Sequence, residues 1–202
     1  MKKIISIILV LTMLILFVAC GEEETELPGN QTTAPLNTEV LKADWKAGTL
    51  VFPGDKTVKF PCTLNEFITS SGATINNGNA YDGKMLEPNE SVTLYISVED
   101  ANMKLTVKNT KKEAVGCMDS FVLGYSYNYT NEANTQIKFA GTLSPGVSRI
   151  DVEKALEIPE GKTSEDVLYV YQGRNDKNKK VELNIAFNSY GVVNSVSYEI
   201  LN

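Results

Sequence analysis

The sequence predicts an α+β protein built as two similar halves, each a short capped helix packed on an antiparallel β-meander. Three observations predict it. Apolar and polar residues alternate over several runs, as in Val92, Leu94, Ile96 and Val98, which marks a sheet with one wet face. Two helix-start signals, one at Thr63 and one at Ser148, each precede a short apolar-faced segment. After each segment come three strand-like runs separated by turn residues.

Taken in order, residues 1–19 read as a signal peptide. Lys2 and Lys3 form a positive start, and residues 4–19 are apolar except for Ser6 and Thr12. A run of about 16 residues is short for a membrane span and suits a signal-peptide core. Residues 20–38 read as a tether. They carry Glu22, Glu23, Glu24 and Glu26, two prolines and almost no apolar residue, so they bury too little to order themselves. As a coil the tether spans roughly 20–25 Å, and at most about 60 Å when stretched. Anionic headgroups repel its glutamates.

The first half is expected over 39–131. Residues 49–52 and 57–60 read as short strands around the Pro53-Gly54-Asp55 turn. Thr63-Leu64-Asn65-Glu66 fits a capping box, Leu64, Phe67 and Ile68 give one apolar helix face, and Gly72 ends it. A polar loop follows over 76–84. Residues 92–98 and 103–107 alternate as strands, with Lys104 and Lys108 on the polar side of the second. A third strand is expected over 114–127. Trp45, the single tryptophan, lies near the tether junction, placed either to pin the first strand or on the surface.

The second half is expected over 132–202. It opens with a strand over 136–140. Ser148-Arg149-Ile150-Asp151 is a variant capping box, with Val147 and Val152 placed as a hydrophobic staple. Val152, Ala155 and Leu156 line the helix. Strands follow over 168–172, 181–187 and 192–200, joined by turns at 173–180 and 188–191.

Composition narrows the chemistry. The 202 residues carry 19 basic and 25 acidic side chains, a formal net charge of -6. That balance argues against nucleic acid as a partner. With no histidine, a Ser-His-Asp triad, a Cys-His dyad and a His-ligated metal are excluded. No phosphate-cradling glycine motif occurs, and no cofactor or metal site is expected. Asp82, Glu87, Glu99, Asp100, Asp119, Asp151, Glu153, Glu165 and Asp166 could supply a hydrolytic pair, but nearly all sit at turns or helix starts, where carboxylates cap or stay wet. Asn175-Asp176-Lys177-Asn178 reads as a hairpin tip rather than a calcium loop.

The apolar start ends in Phe17-Val18-Ala19-Cys20-Gly21, which resembles the lipobox of bacterial lipoproteins. It departs at Phe17, where leucine is usual. The resemblance implies cleavage before Cys20, a diacylglycerol on its sulfur, and an acylated amino group. The folded part is then lipid-anchored to the cell membrane and faces outside the cytoplasm, on the outer membrane if the host is Gram-negative. The chain is similar to uncharacterised lipoproteins of Gram-positive bacteria. A second resemblance covers the C-terminal half. Residues 146–156 followed by Pro159, then Tyr169, Tyr171 and a strand ending near Val192 to Val196, are similar to small outer-membrane-assembly lipoproteins and β-lactamase-inhibitor-protein-like domains. It departs at Glu157, where those motifs usually carry glycine. The resemblance implies a helix-plus-meander module that binds other proteins.

Two further sets of residues are candidates. Cys62 and Cys117 read either as a disulfide, closing a loop of about 55 residues worth on the order of 4 kcal/mol, or as two buried free thiols. Tyr125, Tyr127 and Tyr129 alternate along one strand, as do Tyr169 and Tyr171, joined by Tyr190 and Tyr198. Such rows either pack across neighbouring strands or, where exposed, form a protein- or glycan-binding face. The function expected is a non-enzymatic lipoprotein that binds another envelope protein through a sheet face. The alternative is a solute- or glycan-binding accessory.

Overall fold

Strands dominate the structure because period-two alternation runs through most of the chain. The computed structural model describes residues 38–76, 81, 83–130, 134 and 136–201, all within one compact unit, 32–202. The expected signal peptide, Cys20 and the tether up to residue 37 lie outside the described residues, as does Asp82.

Helix α1 (Thr38–Lys46) opens the fold. It packs Leu41 and Trp45, one turn apart, into the core. A small three-stranded sheet follows, in which β1 (Leu50–Phe52) lies between β2 (Lys56–Val58) and a later strand. Then β3 (Cys62–Thr63) leads directly into α2 (Leu64–Ser71). The capping box expected there is present: the Glu66 N–H donates to Thr63 Oγ1 at 3.2 Å, and the Thr63 N–H donates to Glu66 Oε2 at 2.7 Å. Gly72 ends the helix in the left-handed conformation.

The first meander comprises β6 (Ser91–Val98), β7 (Ala101–Lys108) and β9 (Phe121–Asn128), edged by β4 (Thr74–Ile75), while β5 (Met85–Leu86) and β8 (Val115–Gly116) form a separate two-stranded sheet. The single strand expected over 114–127 is interrupted. Residues 115–116 pair with β5, a short 3-10 turn spans Cys117–Asp119, and pairing resumes at Phe121. Next come β10 (Lys138–Phe139), which completes the small sheet beside β1, and α3 (Arg149–Leu156), whose N-cap Ser148 accepts from the Asp151 N–H at 3.2 Å. The second meander is β11 (Leu168–Arg174), β12 (Lys180–Phe187) and β13 (Val193–Leu201).

The two meanders, expected as modules 39–131 and 132–202, share one eight-stranded antiparallel sheet. Its order is β11-β12-β13-β9-β7-β6-β4, with β3 pairing on β9 as well. The last strands of the two meanders meet at its centre, with Tyr125 opposite Tyr198. One hydrophobic core runs beneath both meanders, so each helix covers part of a common face. The architecture is α+β with mostly antiparallel sheet. Among the described residues no helix is long and apolar enough to cross a membrane.

Trp45 joins the N-terminal helix to the second meander rather than to the first strand. Its ring lies 5.9 Å from that of Tyr171, and Tyr198 donates to the Lys46 carbonyl at 3.0 Å. Gly48 permits this closure: at φ 64°, a Cβ there would stand 2.4 Å from the Tyr198 ring.

Candidate binding face

Side-chain alternation gives the large sheet two faces. The helices cover one of them, and it carries the tyrosine rows. Tyr125, Tyr127, Tyr169 and Tyr171 are buried, together with Tyr198. This corrects their expected role as an exposed binding face. Tyr129 and Tyr190 are exposed, at 41% and 82%, Tyr129 just beyond the end of β9 and Tyr190 in the turn between β12 and β13. The rows are buried because the covering helices need wide, rigid apolar partners whose polar tips can still be satisfied. Tyr127 donates to the Ile137 carbonyl at 3.1 Å and Tyr171 to that of Glu157 at 2.8 Å. The Tyr169 hydroxyl stands 2.5 Å from Glu153 Oε1. Burial raises the pKa of all five tyrosines, with Tyr169 pushed up to about 12 by burial first and the Glu153 carboxylate second.

Cys62 and Cys117 are free thiols, which corrects the disulfide reading. Different neighbours fix them. Cys62 sits opposite Val122 in the β3–β9 pairing, whereas the Cys117 N–H donates to the Lys84 carbonyl at 2.8 Å. Burial pushes the Cys62 thiol up to about 12 and raises that of Cys117.

Among the described residues no helix covers the opposite face of the sheet. Register places two cross-strand rows on it. One runs Thr93, Thr106, Gly124, Glu199, Glu182, Gln172 across β6, β7, β9, β13, β12 and β11. The next runs Tyr95, Lys104, Ser126, Ser197, Asn184, Val170 across the same strands. Small side chains occupy the middle. Gly124 can carry none, because a Cβ there would lie 2.7 Å from the Tyr198 carbonyl oxygen. The result is a shallow trough of about 480 Å³ over Ser126 and Ser197, with Tyr95 and Lys104 at one end and Glu199 at the other.

The two ends of the trough differ in charge. The Lys104 ammonium sits 5.4 Å from the centre of the Tyr95 ring, a cation–π arrangement. Glu182 lies directly opposite Glu199. Its carboxylate accepts from Gln172 Nε2 at 2.9 Å and from Asn184 Nδ2 at 3.0 Å. Beside Tyr95 a second hollow of about 220 Å³ is lined by amides, with Ser97 Oγ 2.8 Å from Asn76 Oδ1 and 2.6 Å from Asn102 Oδ1.

Three of the acids weighed for hydrolysis serve local ends. Asp151 receives the Ser148 hydroxyl at 2.7 Å, Glu153 meets Tyr169, and Asp166 accepts from the Thr163 N–H at 2.8 Å. Asn175 Oδ1 accepts from the N–H groups of Lys177 and Lys179, closing the hairpin tip. Among the described residues no group of three acid or cysteine side chains is placed to hold a metal ion. Sequence reasoning missed the facing pair Glu182 and Glu199 and the trough they border. Alternation had put Lys104 on the polar side of its strand, but strand order alone brings Lys104, Ser126 and Ser197 into one row. Compared with family models, curated proteins and solved structures, the chain matches none.

Proposed function

We propose that this chain is a lipoprotein anchored through Cys20, non-enzymatic and facing outside the cytoplasm, that binds another envelope protein through the open face of its sheet. The observation that carries the reading is the asymmetry of that sheet. One face buries most of the large apolar side chains of the long strands under helices, while the other, among the described residues, offers a polar trough with Tyr95 and Lys104 at its rim. Small central residues admit a protruding partner segment, and tyrosine at a rim supplies rigid contact area with a polar tip. The two meanders, each with its capped helix, support the further reading of two similar halves whose last strands abut, which gives the face its width.

The test is chemical cross-linking on intact native cells, followed by purification through a C-terminal tag and mass spectrometry. The expected result is one dominant membrane-protein partner. Ser126→Arg, which fills the trough, should lose it, while Met85→Ser, off the face, should keep it. Loss in both variants, or in neither, would remove the open face as the binding surface. The amide-lined hollow beside Tyr95 favours one second reading, a glycan-binding accessory. No reproducible protein partner, together with a Tm rise on adding envelope glycans, would replace the first reading by the second. For the anchor, Cys20→Ala should release the protein from membranes and abolish the lipid mass. If it stays bound with unchanged mass, the lipoprotein reading fails.

A further inference from the structure

We infer that two copies of this chain pair edge to edge through β11, antiparallel, so that their sheets become continuous. The inference is independent of the partner proposed for the open face.

β11 ends the large sheet on one side and has seven residues in unbroken register with β12. The Phe187 N–H donates to the Val167 carbonyl at 2.8 Å, and the Asn175 N–H to that of Lys179 at 3.0 Å. In an antiparallel ladder this makes the odd-numbered residues the ones bonded to β12. The N–H and C=O groups of Leu168, Val170 and Gln172 therefore point away from the sheet, and among the described residues no other backbone group meets them. The opposite end is closed differently, by the two-residue strand β4. β11 has no proline, no bulge and no inward-pointing charge, and its one charged residue, Arg174, stands at its end. Leu168 is 39% exposed and Val167 63%.

Charge selects the occupant. Glu165 and Asp166 stand just before β11, whereas Arg174 ends it and Lys177, Lys179 and Lys180 follow. Neither Glu165 nor Arg174 makes an ion pair among the described residues. A second copy running antiparallel brings the acidic start of each strand beside the basic end of the other, twice by symmetry. A parallel copy would set like charges together. The register centred on Val170 places Val170 against itself, Leu168 against Gln172, and Asp166 beside Arg174. It satisfies the outward backbone groups of both strands. The two-fold axis is perpendicular to the sheet, so both helix layers, with the start of α1 in each, lie on one side. Two chains leaving from one side can be tethered to one membrane, and their open faces merge on the other.

The test uses the full chain, in native membranes and purified in detergent. Val170→Cys, oxidised in membranes, should give a disulfide-linked dimer, while wild type and Tyr95→Cys on the open face should not. By light scattering across a dilution series, wild type should show a monomer–dimer equilibrium that weakens with salt. Arg174→Glu should weaken it about tenfold or more, since it sets acid against acid at both ends. Adding Glu165→Lys to that variant should recover part of the loss, with circular dichroism showing each variant folded. A monomer at every concentration without a Val170→Cys cross-link overturns the inference. So does a dimer that Arg174→Glu leaves unchanged and Val170→Cys does not trap, because the copies then meet elsewhere. Equal cross-linking of Tyr95→Cys marks random collision and overturns it as well.

Discussion

Glu157 shows how much one residue's backbone can reveal. It caps α3 at φ 62° and ψ 170°, a region that suits glycine and strains a residue with a Cβ. Glutamate has a compensating role, since its carboxylate pairs with Lys42 on α1 and its carbonyl receives Tyr171. Glu157→Gly should relieve about 1–3 kcal/mol of strain. Against that stand an exposed ion pair worth about 0–1 kcal/mol and the backbone entropy of glycine, about 0.5–1 kcal/mol. A net gain of roughly 0.5–1 kcal/mol is expected in a urea titration. A lower midpoint than wild type would show that the ion pair outweighs the strain. Cys62 and Cys117 offer a second check at this scale. Burial disfavours both thiolates, so iodoacetamide at pH 8 should leave both unmodified in the native protein and label both in urea. Recovery of a Cys62–Cys117 linked peptide from unreduced protein would contradict the free thiols.

Elements defined by short-range signals were legible in the sequence. Both helix starts lie where a hydroxyl residue faces an acid three positions on, because a cap satisfies N–H groups within a single turn. Thr63→Ala should cost about 1 kcal/mol by removing that acceptor. Thermal melts would measure it, and Thr63→Ser should retain most of the stability. If alanine and serine behave alike, the box contributes nothing. Helix α1 was not legible. Its nine residues place only Leu41 and Trp45 in the core, too few to show a period. Packing against α3 and β12 sustains it instead. The break at Cys117–Asp119 was hidden for a related reason. Apolar residues flank the break on both sides, and the pairing of Val115–Gly116 with β5 diverts the chain.

At the scale of the molecule, the buried tyrosines predict how the fold fails. An unfolded tyrosine titrates near pH 10. In the native state Tyr125, Tyr127, Tyr169, Tyr171 and Tyr198 hold their protons to higher pH because burial penalises the phenolate. Below about pH 10 these groups are protonated in both states and their contribution is complete. As pH rises toward 12 the unfolded chain sheds protons the native one keeps, so stability falls. Far-ultraviolet circular dichroism should be lost together with the rise in tyrosinate absorbance from these residues. Ionisation of all nine tyrosines near pH 10 with the dichroism intact would contradict their burial. By itself the sequence determined the α+β class, the long alternating strands and the Thr63 and Ser148 caps, because alternation and capping act over a few residues. The tertiary structure alone decided that the two meanders join through β9 and β13, that the helices cover the tyrosine face, and that Tyr95, Lys104, Ser126, Ser197 and Glu199 share the other. Alternation gives a strand two faces without saying which is covered. Covering the aromatic face stabilises more, because it removes the larger apolar area from water.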